Sequence, residues 1–157
     1  MTDNAREHFR EGFSYLSQQD YEKAIEEFSE ALSLDSNYEE ALDGRGKAYK
    51  GSGNCQKAIS DFNELIHLNP NFPSAFYYRG QCWQAMNRFD DAFLDYEEAI
   101  RREPNNYIGY IGRAGIYCER QEPYKALEDC EQALQLKPDA PEILYYIKVI
   151  KDAFRIQ

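Results

Sequence analysis

A period of 34 residues runs through the chain without an insertion, and it constrains the fold more than any other feature. Gly12, Gly46 and Gly80 stand in one column, which Ala114 completes, and three residues on stand Tyr15, Tyr49, Trp83 and Tyr117. Further columns hold Ala24, Ala58, Ala92 and Ala126, then Phe28, Phe62, Tyr96 and Cys130, then Ala31, Leu65, Ala99 and Ala133. Each unit closes near Ser36, Pro70, Pro104 or Pro138. The period predicts a single domain, 1–157, of four units at 5–38, 39–72, 73–106 and 107–140, followed by a closing helix at 141–157. A unit this short cannot bury its apolar face alone. Stacked neighbours bury a continuous core, so the array is the stable object.

Within a unit the apolar spacing is helical. Phe9, Gly12, Phe13 and Leu16 recur at intervals of three and four, as do Ala24, Ile25, Phe28, Ala31 and Leu32, with Ser17-Gln18-Gln19-Asp20 between the two runs. Each unit is therefore a helix–turn–helix and the fold class is all-α. Asp20 and Asn54 are placed to cap second helices, and Pro123 suits a first-turn position. Asn37, Asn71, Asn105 and Asp139 are expected to cap the first helices, with Glu40 and Glu142 completing capping boxes and the Pro column as a stop before them. Gly in a helix interior costs about 1 kcal/mol against Ala. Its repetition in one column implies close packing, with Gly46 and Ala58 making room for the ring of Phe62 or Tyr49.

These columns resemble the tetratricopeptide repeat, whose pattern is W-x2-L-G-x2-Y, then A-x3-F, then P. Gly12 with Tyr15, Gly46 with Tyr49, Ala24 with Phe28 and Ala58 with Phe62 carry the match, which extends over 5–140. The chain departs from the pattern where His8, Leu42, Phe76 and Tyr110 replace Trp and where Arg45, Arg79 and Arg113 replace Leu. Ala114 and Cys130 are the departures of the last unit. The resemblance implies a right-handed α-solenoid, a superhelix of helix pairs whose first helices line a concave groove. Members of the family generally bind a peptide or a partner's helix there. The Arg45, Arg79 and Arg113 column lies at the edge of the core side and is expected to ion-pair with nearby carboxylates. In the tail, Ile143, Ile147, Ile150 and Phe154 share a face while Lys148, Lys151 and Arg155 lie elsewhere, as in the solvating end helix of such arrays.

Composition narrows the function. Eighteen Lys plus Arg against 28 Asp plus Glu give a net charge of −10, which disfavours nucleic acid as a partner, since phosphate contact needs clustered basic residues. Aromatic residues at 15% exclude a disordered chain. No run of 18 apolar residues is present, so no membrane-spanning helix is expected. The start, Met1-Thr2-Asp3-Asn4, lacks the apolar core of a secretory signal. Cys55, Cys82, Cys118 and Cys130 form no C-x-x-C pair and are expected as free packing thiols in a reducing compartment, the cytoplasm. No catalytic constellation, nucleotide-binding motif or cofactor motif is present. His8 and His67 are too few and too scattered to suggest a metal site, and His8 is expected to pack in the core. The chain is therefore expected to be no enzyme, with no cofactor.

A helical wheel, used independently of the resemblance, gives the face of each first helix opposite its core columns. That face holds Arg6, Phe9, Arg10, Phe13, Leu16 and Ser17 in the first unit, and Glu40, Asp43, Gly44, Lys47, Lys50 and Gly51 in the second. Ser74, Tyr77, Tyr78, Gln81, Gln84 and Ala85 follow in the third unit, then Ile108, Ile111, Gly112, Gly115, Cys118 and Glu119 in the fourth. Glu142, Tyr145, Tyr146, Val149, Asp152 and Ala153 complete the face in the tail. It is nearly neutral inside an acidic chain, and its basic residues cluster in the first two units.

The candidate binding residues are Arg6, Phe9, Arg10, Phe13, Lys47, Lys50, Tyr77, Tyr78, Gln81, Ile111, Tyr145 and Tyr146. The expected partner is a protein or peptide segment with apolar or aromatic anchors and some acidic residues. Phe9, Phe13, Tyr77 and Tyr78 alternatively pack between neighbouring first helices. Chaperone-binding relatives hold a C-terminal carboxylate with Lys, Asn, Asn, Lys and Arg. Here those positions carry Phe9, Phe13, Gly44, Ser74 and Tyr78, or one unit later Asp43, Lys47, Tyr78, Ile108 and Gly112, so heat-shock chaperone tails are not expected partners. Two competing readings are a homodimer formed through Tyr145, Tyr146 and Val149 of the tail, and an engineered structural array.

Overall fold

A computed structural model describes residues 3–72 and 74–156; Met1, Thr2, Pro73 and Gln157 lie outside the described residues. Among the described residues the secondary structure is all α, in the order α1 (Asp3–Ser17), α2 (Tyr21–Leu34), α3 (Glu39–Gly51), α4 (Cys55–Leu68), α5 (Ala75–Ala85), α6 (Phe89–Arg102), α7 (Tyr107–Glu119), α8 (Pro123–Leu136) and α9 (Pro141–Phe154). The fold is an all-α helical-repeat solenoid. It divides into two compact units, Met1–Cys82 and Trp83–Gln157. In the first, α1 packs on α2, α2 on α3, α3 on α4, and α1 also touches α3. In the second, α6 packs on α7, α7 on α8 and α8 on α9.

The small-residue columns are small because rings occupy the space beside them. A Cβ on Gly12 would stand 2.8 Å from Cδ1 of Phe28, and one on Gly44 would stand 2.4 Å from Cζ of the same ring. Phe28 is thus held between its own first helix and the first helix of the next repeat. Each fully buried ring of this kind contributes roughly 1.5–3 kcal/mol. The pairing recurs with compensating sizes. Phe62 meets Gly46 and stacks on Tyr78 with centroids 6.1 Å apart, and Tyr96 meets Gly112. In the last repeat Cys130 replaces the ring and Ala114 stands in the Gly column, both in the core cluster against which Tyr146 packs.

The turns inside repeats share one geometry. Gln19, Gly53, Asn87 and Gln121, spaced by 34, all take left-handed backbone conformation, with φ of 62°, 82°, 58° and 59°. The next N–H in each case donates to the carbonyl of the Tyr/Trp column: Asp20 to Tyr15, Asn54 to Tyr49, Arg88 to Trp83 and Glu122 to Tyr117. The second helices start as expected at Asp20 and Asn54, whose side chains accept from the Lys23 and Lys57 N–H groups, and Pro123 opens α8.

The capping expected between repeats is corrected. α3 begins at Glu39 with Tyr38 at its cap and no side-chain cap bond, α9 begins after Ala140 likewise, and at α7 the capping side chain is Asn106. Asn37 and Asn71 instead donate their N–H groups to Asp35 Oδ1 and Asn69 Oδ1. The column two residues earlier organises these turns, and the helices start too late for Asn37 and Asp139 to reach their first N–H groups.

Arg45 and Arg113 of the Arg column make ion pairs within their repeats. Arg45 donates to both oxygens of Asp61 at 2.9 and 2.8 Å, and Arg113 to both oxygens of Asp129 at 2.8 Å. Asp61 and Asp129, together with Asp95, form a buried column also spaced by 34, so these pairs tie a first helix to its second. Arg79 donates to Asn63 Oδ1 at 2.7 Å.

Candidate functional site

In the first compact unit the first helices α1, α3 and the start of α5 carry most of the candidate residues. On α1, Phe13 is 60% exposed, whereas Phe9 is half-buried, 5.0 Å from the Tyr38 ring and 5.9 Å from Phe28. Arg6 and Arg10 are exposed on the same helix. Burial pushes the Tyr38 phenol up, Glu40 adds to that, and the guanidinium groups of Arg6 and Arg10 oppose it.

On α3 and α5 the candidates form one linked cluster. Tyr77 and Tyr78 meet edge to face at 5.3 Å. Lys47 Nζ lies 4.6 Å and Lys50 Nζ 5.4 Å from the Tyr78 centroid, so two ammonium groups face one ring. Lys50 donates to Gln81 Oε1, and Gln81 Nε2 donates to the Tyr77 hydroxyl, each at 2.8 Å. Lys47 is also paired with Asp43 at 2.5 Å. Burial pushes the Asp43 carboxyl up against the pull of Lys47, and its Oδ1 is buried without a hydrogen-bond partner among the described residues. Tyr78 both stacks on the core ring Phe62 and lies beneath the two lysine ammonium groups.

The helical-wheel face needs correction at three glycines. Gly44 is buried on Phe28, Gly112 meets the Tyr96 ring, and Gly51 meets the Tyr21 ring. A first helix has two packing sides, one toward its own second helix and one toward that of the preceding repeat. A wheel that allows only one core side assigns the second to the groove.

In the second unit, Ile111 and Tyr146 pack against the core of Ala114, Cys130 and Ile143. The Tyr146 phenol is pushed up by burial and by the Cys118 and Cys130 thiols beside it. Tyr145 is 69% exposed, with Leu144 and Val149 also exposed on α9. An open cleft of about 460 Å³ in this unit is lined by residues such as Tyr124, Lys125 and Phe154, away from Ile111 and Tyr146.

The histidine expected in the core is instead half-buried and polar. His8 Nδ1 is 2.7 Å from Glu27 Oε2, and the bond to Glu27 holds the imidazole above its ordinary value while burial opposes it. Glu11 completes a group of three whose ligand-capable atoms all lie within 4.8 Å of one another. The expectation of no metal site rests on the separation of the two histidines from each other. The fold brings His8 to two carboxylates, one of them on the next helix.

Sequence comparison decides the family. The TPR-repeat model matches residues 12–53, and models of the tetratricopeptide repeat match 40–71 and 73–106. The chain is a tetratricopeptide-repeat protein. No curated protein matches it in sequence. Among solved structures of tetratricopeptide-like fold, residues 41 to the end of MamA from Desulfovibrio magneticus RS-1 superpose with a TM-score of 0.85 at 20% identity, covering 99% of this chain and 88% of that one. TTC0263, a thermophilic TPR protein in Thermus thermophilus, gives 0.85 at 20% identity over 97% and 84%. The first TPR of Spaghetti (RPAP3), bound to the HSP90 peptide SRMEEVD, gives 0.74 at 25% identity over 77% and 96%. Among the described residues, no helix of this tetratricopeptide-repeat protein is long and apolar enough to cross a membrane.

Proposed function

We propose that this protein is a non-catalytic interaction module that binds a polypeptide segment along its first helices. The observation that carries the reading is the α3–α5 cluster in the first unit, where Tyr77, Tyr78, Lys47, Lys50 and Gln81 are joined, with the exposed ring of Phe13 on α1. Rings of this kind bury large area at little rotamer cost and are typical anchors of an interface. The peptide-bound Spaghetti repeat supports the same mode of use in a related fold. Its particular ligand is not carried over, because the clamp positions here hold Phe9, Phe13, Gly44, Ser74 and Tyr78.

The partner segment carries apolar or aromatic anchors for Phe13 and Tyr77, and acidic residues that meet Arg6, Arg10 and Lys50. Lys47 contributes less charge, since Asp43 already pairs with it. The protein acts in the cytoplasm, a reading supported by its four free thiols. The test is selection of binding segments from a displayed random library of peptides about 12 residues long. Enrichment of aromatic and acidic residues supports this reading, and selected segments that bind a Tyr77→Ala, Lys50→Ala variant equally well overturn it.

A second reading is favoured by one observation, the exposed Leu144, Tyr145 and Val149 on α9. This surface would pair two copies. Sedimentation over a concentration series tests it: a dimer abolished by Leu144→Ser, Tyr145→Ser supports it, and a monomer at every concentration overturns it.

A further inference from the structure

The internal repeat makes the His8 group unusual. Glu11 stands in the column of Arg45 and Arg113, and Glu27 stands in the column of Asp61 and Asp129. In the second and fourth repeats these two columns bring a guanidinium onto a carboxylate at 2.8 Å. The first repeat puts a carboxylate in both. The scaffold that elsewhere seats a cation between a first and a second helix here offers two anionic groups and one imidazole, with Glu30 close enough to His8 to act on its charge.

We infer that His8, Glu11 and Glu27 form a binding site for a divalent transition-metal cation of the zinc class, clamping α1 to α2. His8 and Glu11 are one turn apart on α1, so both project to the same side, and Glu27 reaches them from α2. One nitrogen and two carboxylate oxygens are a borderline donor set that suits zinc, with three protein ligands leaving a fourth position for water. Metal–ligand bonds of about 2 Å put tetrahedral donors roughly 3.3 Å apart. His8 Nδ1 and Glu27 Oε2 are already 2.7 Å apart, and the group as a whole lies within 4.8 Å. Rotation of the exposed Glu11 side chain closes the remainder. A cation there also cancels the facing carboxylates, as the arginines do in the sister repeats. The site lies between paired helices, off the groove face, and is independent of the binding reading above.

The test is titration of the full chain with zinc chloride in a non-chelating buffer at neutral pH, followed by calorimetry and by NMR of the two imidazoles. The inference expects one equivalent bound, reversed by a chelator, with the His8 ring resonances shifted and those of His67 unmoved. His8→Gln and Glu11→Gln each lower the affinity about tenfold or more, while His67→Gln leaves it unchanged. Circular dichroism checks that the variants are helical, and the imidazole shifts on the unsubstituted chain stand without them. Zinc bound with His8 unshifted, binding that survives both substitutions because thiols hold the metal, or no binding at all overturns the inference.

Discussion

The ring of Phe28 occupies the space in which a side chain on Gly44 would stand, 2.4 Å from Cζ to the site of a Cβ. The contact joins the second helix of one repeat to the first helix of the next, and the ring is fully buried. Phe28 has no room to withdraw, because Gly12 confines it from the other side. Gly44→Ala, which would otherwise favour the helix, is therefore expected to destabilise the first compact unit by about 1–3 kcal/mol. Urea denaturation followed by circular dichroism measures this.

The four left-handed turn positions offer the opposite effect. Gln121 holds φ of 59°, as its column mate Gly53 holds 82° without a side chain to strain. Gln121→Gly is expected to stabilise the second unit by about 0.5–1 kcal/mol, the relief of the left-handed conformation outweighing the added freedom of the unfolded chain. The melting temperature should rise. The same change at the helical Gln132 should destabilise the unit by about 1 kcal/mol and lower its melting temperature.

The buried arginine pairs matter through the penalty of breaking them. Asp129 is 6% exposed and accepts two bonds from Arg113. Asp129→Ala leaves the guanidinium half-buried without its main partner, and a loss of about 3 kcal/mol is expected. Replacing both, as Arg113→Met with Asp129→Leu, should recover most of it. A double-mutant cycle by urea denaturation separates the pair from the packing of its stems.

Glu98 gives a pH signature on α6. It accepts bonds from Arg101 and Arg102 at 2.5–2.8 Å, and these, Arg101 foremost, hold its carboxyl at about 2 against an ordinary 4.5. The folded value is depressed, so the stabilisation is present above pH 4.5 and is lost as pH falls toward 2. Arg101 is largely exposed, so screening leaves only about 0.5 kcal/mol. Glu98→Gln should cost that much near neutral pH and progressively less as the pH drops below 4.5, as measured by denaturation at each pH.

Much of this architecture is legible in the residues because a 34-residue rhythm repeats each structural decision. The caps at Asp20 and Asn54, the Gly46–Phe62 packing and the ion pairing of Arg45 and Arg113 follow from it. The departures have physical causes. Asn37 is spaced to cap α3, but the helix starts at Glu39, and Asp35 takes the turn's free N–H. His8 reads as core because its column is otherwise Leu42, Phe76 and Tyr110; only the fold brings Glu27 to it. The Asp61, Asp95 and Asp129 column is visible at the same spacing and is the signal that names the arginines' partners. Gly44 and Gly112 fall to the groove in a wheel drawn for one helix pair, because such a wheel omits the preceding repeat. The candidate rings divide for the same reason: Phe9 and Tyr146 have core neighbours, while Phe13 and Tyr145 stand in solvent.

The most direct measurement is calorimetric affinity of one display-selected segment for the unsubstituted chain and for variants that remove the exposed ring of Phe13 and the half-buried ring of Tyr77, Phe13→Ser and Tyr77→Ala, each first shown to melt as the parent does. Binding through the first helices predicts at least about a tenfold loss for each, additive within a few tenths of a kcal/mol if the rings grip separate anchors. Unchanged affinity in both, with the fold intact, would contradict it.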